Sequence, residues 1–469
     1  MGKYYLAVDI GASSGRHILG HLENGKIKLE EIYRFENGMD HKDGKLLWNV
    51  DRLFGEILNG MKKCKELGKI PVSMAIDTWA VDYVLLDEQD RILGDTYGYR
   101  DHRTDSMDIE TAKILQETEL YARTGIQKQI FNTVYQLMAV KQQTPELLQR
   151  AKTLLMLPDY FGFRLTGNKL SEYTNGSTTQ LVNPNTFQWD TDLIRKLGYP
   201  EDIFLPLQMP GTKVGQLLPE IQKEVGFNLE VVLCGSHDTA SAVMAVPQTS
   251  GDGIYISSGT WSLMGIESLK PIINGNAAAA NFTNEGGYDR RFRFLKNIMG
   301  LWMIQSVRHE YNDAYSFAQL CEMAEDSRDF PSRVDVNDPS FLSPDSMVEA
   351  IKKYCQKTGQ QVPESVGEFA SVVYRSLAQS YGETVSGLEK IAGRTYDSIH
   401  IIGGGSNAAY LNQLTADATG KTVYAGPGEA TAIGNLLAQM IYAEELTDLK
   451  SARQCVRDSF EIKTFVPAK

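Results

Sequence analysis

A histidine, an acid and a hydroxyl residue stand in a row near the middle of the chain. His237, Asp238 and Thr239 follow an apolar run, residues 231–234, that predicts a buried strand, and Gly235 ends that strand. A carboxylate at the mouth of a strand can accept the proton of a substrate hydroxyl and so act as a general base. The same aspartate can instead cap the next helix by accepting the free amides of its first turn. The stretch therefore has a catalytic and a structural interpretation.

Two predicted hairpin tips have the composition of phosphate-binding turns. They are GASSGR at residues 11–16 and SSGTWS at residues 257–262. Consecutive backbone amides with small side chains can wrap around phosphate oxygens, and glycine permits a close approach. Asp9 ends the strand before the first tip, where it can hold a metal ion through water. An ordinary tight hairpin explains one such tip, whereas two of them favour a phosphate site.

Four further features bear on which ligands and which kind of reaction the sequence can support. A glycine run at 403–405 lies between a predicted strand and a predicted helix, where it suits a nucleotide base or ribose. The TGKT segment at 419–422 is not a P-loop, because Thr415 stands where the leading glycine belongs and the segment leads into a strand. The histidines form no chelating motif. Asp77 and Asp82 flank TWAV at a strand end, as candidate acids or as turn acids.

Length and composition limit the class of protein. The 469 residues exceed the ~250–300 at which single cores stop growing, which predicts two large domains. A net charge of −12 argues against a nucleic-acid backbone as the main partner. No apolar run approaches the ~18 residues of a membrane helix, and no signal peptide is recognisable. The five dispersed cysteines contain no CxxC pair and indicate reduced thiols in a cytoplasmic protein.

Predicted strands and helices alternate along the chain, which is typical of an α/β fold. The two hairpin segments lie about half a chain apart and share one design, so they indicate two similar domains. The boundary is expected near residues 245–252, in the segment VPQTSGDG.

Taken together, these motifs resemble the FGGY family of carbohydrate kinases. The similarity rests on DIGASSGR, SSGTWSLMG, SHDTASA and the glycine run, and it extends nearly end to end. The resemblance implies two actin-like, or ribonuclease H-like, domains with ATP and Mg²⁺ in a cleft between them. Residues 1–246 would hold the sugar, the first phosphate hairpin and the catalytic aspartate, and residues 247–469 would bind ATP.

The resemblance also implies roles for individual residues. Asp238 would be the general base, with His237 and Thr239 binding the sugar beside it. Asn297 would contact the sugar, as would Ala80, where the family often has glycine. The residues expected to contact ATP are Ala12, Ser13, Ser14, Gly15, Arg16, Thr260, Gln305 and Gly404.

Within the family, IDTWAVDYVLLD, SHDTASAV, SSGTWSLMG and NEGG followed by LKNIMGLW imply ATP-dependent phosphorylation of L-rhamnulose on its 1-hydroxyl. The alternatives are a kinase for another ketose, such as L-fuculose or a pentulose, an actin-like or chaperone-like ATPase, and a non-catalytic sugar sensor. We expect a monomer or a homodimer.

Overall fold

The computed structural model describes residues 2–248 and 253–468 of the chain. The strands are β1 (Tyr4–Ile10), β2 (Ser14–Glu23), β3 (Lys26–Glu36), β4 (Asp40–Lys42), β5 (Lys45–Leu47), β6 (Pro71–Thr78), β7 (Tyr83–Leu86), β8 (Thr153–Met156), β9 (Ser171–Glu172), β10 (Val182–Asn183), β11 (Gln188–Trp189), β12 (Leu207–Gln208), β13 (Lys213–Gln216), β14 (Glu230–Val232), β15 (Gly253–Ser258), β16 (Trp261–Ser268), β17 (Thr283–Gly286), β18 (Phe292–Met299), β19 (Ser398–Ile402), β20 (Thr422–Ala425) and β21 (Lys463–Phe465).

The helices are α1 (Val50–Glu66), α2 (Met107–Ala112), α3 (Glu117–Thr124), α4 (Thr133–Gln143), α5 (Pro145–Arg150), α6 (Leu157–Thr166), α7 (Tyr173–Ser177), α8 (Thr191–Leu197), α9 (Pro219–Val225), α10 (Asp238–Met244), α11 (Gly275–Ala279), α12 (Trp302–Glu310), α13 (Phe317–Asp326), α14 (Met347–Lys357), α15 (Val366–Ala392), α16 (Ala409–Thr419), α17 (Ala430–Tyr442) and α18 (Leu449–Ser459). Short 3-10 helices lie at His102–Thr104, Glu201–Ile203, Tyr288–Arg290, Pro339–Phe341 and Gly404–Asn407.

The chain forms two compact units that differ from the predicted continuous halves. The first unit comprises Met1–Ala245, Glu267–Phe294 and Thr431–Ser459, and the second comprises Val246–Ile266, Leu295–Ala430 and Phe460–Lys469. Two segments of the predicted second half thus pack with the first unit, which sequence order alone does not indicate. Residues 249–252 of the predicted boundary lie outside the described residues.

The first unit is built on a six-stranded sheet of order β13-β14-β6-β1-β2-β3. β1, β6 and β14 run parallel, while β2, β3 and β13 are antiparallel to their neighbours. Side chains alternate along β1, so Leu6 and Val8 face the cluster that includes α1 and α6, whereas Tyr5 and Ala7 face α17. Because both faces are covered, β1 is an almost continuous apolar run that ends in the sequence Asp9-Ile10.

The second unit repeats the order of the first. β15 pairs antiparallel with β16 and parallel with β19, β19 pairs parallel with β20, and β20 pairs antiparallel with β21. A hairpin strand, two parallel strands and an antiparallel edge strand therefore follow one another in space, as β1, β6, β14 and β13 do in the first unit. The predicted similarity of design between the two hairpin segments is visible in this topology.

Helix α10 approaches α17 very closely. A Cβ atom on Gly434 of α17 would lie 1.7 Å from the carbonyl oxygen of Ser241 in α10. Glycine is required there, and it holds the helix that begins at Asp238 against the sheet-covering helix. No helix in the described part of the chain is both long and apolar enough to cross a membrane.

Candidate active site

Two aspartates lie side by side at the carboxyl ends of β1 and β6. The parallel register pairs Asp9 with Asp77, and both side chains are buried. Burial and the neighbouring Asp9 raise the pKa of Asp77 well above its ordinary value, although its Oδ2 accepts a hydrogen bond from Asn435 at 2.6 Å. Burial also raises the pKa of Asp9, Arg16 opposes that rise, and Asp238 adds to it. Three carboxylates thus share one edge of the sheet.

Arg16 holds the outer oxygen of Asp9. Cross-strand pairing sets Arg16 opposite Asp9, and its Nε and Nη2 both donate to Oδ2 at 3.0 Å. The carboxylates of Asp9 and Asp77 are the oxygen ligands that Mg²⁺ prefers, and Mg²⁺ usually keeps waters and binds through one or two carboxylates and substrate phosphates. No group of three or more histidines, cysteines or acids among residues 2–248 and 253–468 could hold a metal by itself. The residues fit an ion that is held partly through water.

Asp238 is the first residue of α10, and His237 occupies the N-cap position. The amides of Ala240 and Ser241 donate to the carbonyl of His237, so the Asp238 carboxylate does not cap the helix. Its Oδ1 accepts a hydrogen bond from Thr239 Oγ1 at 3.1 Å, and about one third of the side chain, 33%, remains exposed. The capping interpretation is therefore wrong, because the carboxylate accepts from a side-chain hydroxyl and not from the amides of the first helical turn.

The turn before Asp238 is held by a buried glutamate that the sequence did not single out. Glu172 accepts hydrogen bonds from the amide of Ser236 at 3.2 Å and from its hydroxyl at 2.6 Å. It also accepts from the amide and hydroxyl of Thr174, whose hydroxyl in turn accepts from the amide of His237. Burial raises the pKa of Glu172. One carboxylate therefore fixes the backbone from which His237 and Asp238 project.

His237 links the candidate base to two more buried charges. Its Nε2 lies 3.4 Å from Asp238 Oδ1, and its Nδ1 lies 2.9 Å from Arg293 Nη2 and 3.3 Å from Glu285 Oε2. Arg293 is fully buried and bonds to Glu285 at 3.0 Å, and the pKa of Glu285 is lowered, chiefly by the Arg293 charge, despite its burial. The network is contained in the first unit.

The loop after β6 contains an unusual turn. The amide of Asp82 donates to the carbonyl of Ala80 at 2.9 Å, and Val81 between them has φ +68°. This geometry belongs to the γ-turn with positive φ, which is strained for a β-branched residue. The Val81 carbonyl is held by Thr133 Oγ1 at 2.7 Å and by Gln136. The strain lies at Val81, and Ala80, the predicted sugar contact, is not among the residues with positive φ.

Asp82 is the anchor of this loop rather than an ordinary turn acid. Its Oδ2 accepts from the indoles of Trp48 and Trp79 at 2.6 and 2.9 Å and from the Tyr99 amide at 3.0 Å. Its Oδ1 accepts from Gln136 at 3.0 Å. Burial raises the pKa of Asp82 to about 6 in spite of these donors. The centroids of the two indole rings lie 4.0 Å apart, so the loop is closely packed.

The first hairpin tip presents small residues at the end of the same sheet. The turn closes with a hydrogen bond from the Gly11 amide to the Ser14 carbonyl at 2.9 Å, and Ser13 is exposed. Ser14, Gly15 and Arg16 already belong to β2. A Cβ atom on Gly15 would lie 2.1 Å from the Phe35 ring, so this glycine serves packing. Of the predicted contacts at 12–16, Ala12 and Ser13 form the open tip.

The remaining predicted ATP contacts converge in the second unit. The amides of Leu301 and Trp302, at the start of α12, donate to the carbonyls of Gly259 and Thr260 at the second hairpin tip. Gln305 follows one turn later in α12 and is half-buried.

The glycine run meets the same tip. A Cβ atom on Gly405 would lie 1.9 Å from Ser258 Oγ, and one on Gly403, at φ +80°, would lie 2.9 Å from the Ser258 carbonyl. Gly404 is exposed and has open space where its Cβ would be. The outer glycines therefore pack the loop against the hairpin, and the middle one leaves its backbone open to a ligand.

Asn297 lies on β18 in the second unit. Its Oδ1 is buried and has no hydrogen-bond partner. A buried acceptor without a donor costs free energy, and a sugar hydroxyl would be a suitable donor.

Sequence reasoning missed the residues that act through others. Glu172, Glu285, Arg293 and Asn435 touch the predicted residues but stand far from them in the sequence. The NEGG segment contains Glu285, but the sequence alone assigns no role to that residue. A charged residue within an apolar strand, such as Arg293 in FRFLKNIM, is a signal for a buried ion pair.

The chain is similar to known proteins over nearly its whole length. Residues 4–245 match the N-terminal domain of the FGGY family of carbohydrate kinases, and residues 254–443 match its C-terminal domain. The chain is 54% identical to Rhamnulokinase from Halalkalibacterium halodurans over 99% of both chains. It is 51% identical to Rhamnulokinase from Oceanobacillus iheyensis, over 99% of this chain and 98% of that one.

A solved xylulose kinase from Lactobacillus acidophilus shares the two-domain actin-like α/β fold. It superposes with a TM-score of 0.80 at 16% identity, covering 99% of this chain and 94% of that one. The predicted fold class is confirmed. Both domain models and the full-length relatives lead to one conclusion: the chain belongs to the FGGY family of carbohydrate kinases.

Proposed function

We propose that this enzyme transfers the terminal phosphoryl group of ATP to the 1-hydroxyl of L-rhamnulose, with Mg²⁺ as the metal ion. The observation that carries the proposal is the identity of half or more of all residues, end to end, to two proteins named rhamnulokinase. Substrate pockets are shaped by many side chains, so identity at this level across both domains supports the same ketose.

The proton of the attacking hydroxyl goes to Asp238 in this proposal. Phosphoryl transfer requires positioning and charge stabilisation more than covalent chemistry, and a carboxylate orients the alcohol and accepts its proton as the new bond forms. The partial exposure of Asp238 leaves it open to a substrate, while Thr239 holds one of its oxygens. Glu172 stabilises the turn before it and so limits the positions that the carboxylate can adopt.

Asp9 and Asp77 would hold the ion, Asp9 through water, and the ion would neutralise phosphate charge. The tip at Ala12 and Ser13 supplies amides and a hydroxyl in the first unit. Thr260, Gln305 and the open backbone of Gly404 supply nucleotide contacts in the second unit. Arg16 donates two hydrogen bonds to Asp9. We therefore propose that Arg16 contacts phosphate from a position beside the Asp9 carboxylate.

Selectivity among ketoses would come from hydrogen bonding. His237, Thr239 and Asn297 can bond several sugar hydroxyls, and Ala80 can offer its backbone. A sugar with a hydroxyl in the wrong orientation leaves buried polar groups without partners, which costs about 1–3 kcal/mol for each. The absence of one methyl group from the sugar lowers kcat/KM by only about 10–200-fold, so slow turnover of related ketoses is expected.

The test is a panel of acceptors at equal concentration, with ADP release as the signal. The panel contains L-rhamnulose, L-fuculose, L-xylulose, D-xylulose and glycerol, and NMR locates the phosphorylated carbon. We expect the highest kcat/KM for L-rhamnulose and phosphate on C1. A preference for another member, or phosphate on another carbon, would refute the rhamnulose assignment. Equal ADP release without any sugar would favour an ATPase, and no turnover with any ketose would favour a sensor.

The cellular compartment is inferred from the chemistry of the cysteines and of ATP. All five cysteines are free thiols. We propose a cytoplasmic enzyme, where ATP and reducing conditions occur together. The expected monomer or homodimer stays a prediction.

A further inference from the structure

A line of buried side chains leads away from the candidate base. Arg293 Nη2 donates to His237 Nδ1 at 2.9 Å and to Glu285 Oε2 at 3.0 Å. Arg293 Nε donates to the carbonyl of Gly286 at 2.9 Å, which fixes the plane of the guanidinium. The Arg293 side chain is fully buried, so water does not compete for these bonds. On the far side of the imidazole, Nε2 lies 3.4 Å from Asp238 Oδ1.

The position of the His237 proton follows from what each neighbour can donate. A guanidinium is always charged and has no acceptor, so the atom to which Nη2 donates must carry a lone pair. Nδ1 of His237 is therefore unprotonated. Glu285 Oε2 also lies 3.3 Å from Nδ1 and could accept a proton from it. A proton on Nδ1 would, however, face the N–H group of Arg293 Nη2, so that two donors would oppose each other. A neutral imidazole carries its single proton on the other nitrogen, which here is Nε2, facing Asp238.

We propose that Arg293 and Glu285 are positioning residues that hold His237 in the Nε2–H form, as a hydrogen-bond donor toward Asp238. Glu285 balances the buried guanidinium, which as an isolated charge would be very costly. The Thr239 hydroxyl, which donates to Oδ1 of Asp238, and the Nε2–H of His237, which lies 3.4 Å from the same oxygen, then leave Oδ2 for the sugar hydroxyl. The inference rests on the proposed function in one respect, namely that Asp238 is the base.

The direct test is the tautomer of His237 in the unaltered enzyme. Long-range ¹H–¹⁵N correlation spectra of protein labelled with ¹⁵N-histidine distinguish protonated from unprotonated ring nitrogens. The variant His237→Gln assigns the signal by its disappearance. We expect an unprotonated Nδ1 and a protonated Nε2 at neutral pH. A proton on Nδ1, in the neutral or in the charged ring, would overturn the proposal without any variant of the network.

The second test removes the buried pair as a unit. Glu285→Gln combined with Arg293→Met leaves neither a lone carboxylate nor a lone guanidinium. We expect the Nδ1 signal to move toward the protonated form and kcat to fall about 10–100-fold, as for a small displacement of a catalytic group. The KM for ATP should be unchanged. Arg290→Met is the matched control, because Arg290 is exposed on the same segment, and this variant should keep both the spectrum and kcat.

The outcomes separate this proposal from the proposed function. A folded double variant with an unchanged His237 spectrum, or with unchanged kcat, would overturn the positioning role. The spectrum requires no sugar. An unprotonated Nδ1 together with no phosphorylation of any ketose would support the tautomer and refute the kinase assignment to L-rhamnulose.

Discussion

The replacement Asp238→Asn separates a general base from a structural aspartate. The amide has nearly the same shape, and its Oδ1 can still accept the bond that Thr239 donates at 3.1 Å. The carboxylate takes no part in capping α10, where the His237 carbonyl accepts from the amides of Ala240 and Ser241. What the variant loses is the negative charge and the ability to accept a proton.

The structure sets the size of both effects. One partly exposed side-chain hydrogen bond contributes about 0.5–1.5 kcal/mol, and the amide keeps most of it, so stability should change by less than about 1 kcal/mol. At about 2–4 °C per kcal/mol for domains of this size, Tm should move by less than about 4 °C. A general base contributes about 10²–10⁴ in rate, so kcat should fall by that factor, about 2.7–5.4 kcal/mol in the barrier.

The assay is ADP release at saturating ATP and L-rhamnulose, with thermal unfolding measured on the same preparation. Asp43→Asn is the matched control, because Asp43 is exposed in a turn at φ +51°, where asparagine is well tolerated. We expect the control to match the unaltered enzyme in both measurements. Near-normal turnover by Asp238→Asn would refute its role as the base, and a large loss of Tm would show that the carboxylate is structural.

Three further predictions concern other buried groups. Asp9→Asn should raise the Mg²⁺ concentration needed for half-maximal activity without unfolding the chain, and an unchanged Mg²⁺ titration would assign Asp9 to the hairpin alone. His17 is buried and its pKa is lowered to about 4 from 6.5, so the unfolded chain binds its proton more readily. Its contribution to stability should therefore be lost as pH falls from 6.5 to 4, by about 3 kcal/mol, and urea unfolding of His17→Gln across this range should lack that loss. Asp82→Ala should lower the free energy of unfolding by about 3 kcal/mol, because buried donors that include Trp48 and Trp79 lose their acceptor, while relief of the buried charge offsets part of that cost. Urea unfolding that is unaltered in this variant would contradict the anchoring role of Asp82.

Much of the fold is local enough to be predicted. The segment around TGKT was predicted to lead into a strand rather than to form a P-loop, and α16 ends at Thr419 while β20 begins at Thr422. The apolar run of β1 ends at its aspartate and glycine turn as expected. Such features depend on residues a few positions apart, whose turn chemistry and period the sequence displays directly.

The residue types of the candidate site could be predicted from the sequence, but the residues that contact and orient them could not. His237, Asp238 and Thr239 are neighbours in the chain, so their proximity needed no tertiary information. The pairing of Asp9 with Asp77 depends on the parallel register of β1 and β6, strands that are separated by about sixty residues of chain. The register depends on which side chains must face the buried sides of the sheet. A short stretch of sequence does not contain that information.

The sequence by itself determined the family, the α/β class and the row of residues at the head of α10. Only the tertiary structure decided that residues 267–294 pack with the first unit and bring Glu285 and Arg293 to His237. A buried charge must find a partner wherever the folded chain provides one, and that partner is unconstrained by sequence distance. Motifs therefore mark the groups that are predicted to contact substrate, whereas the side chains that surround them are fixed by packing between segments far apart in the chain.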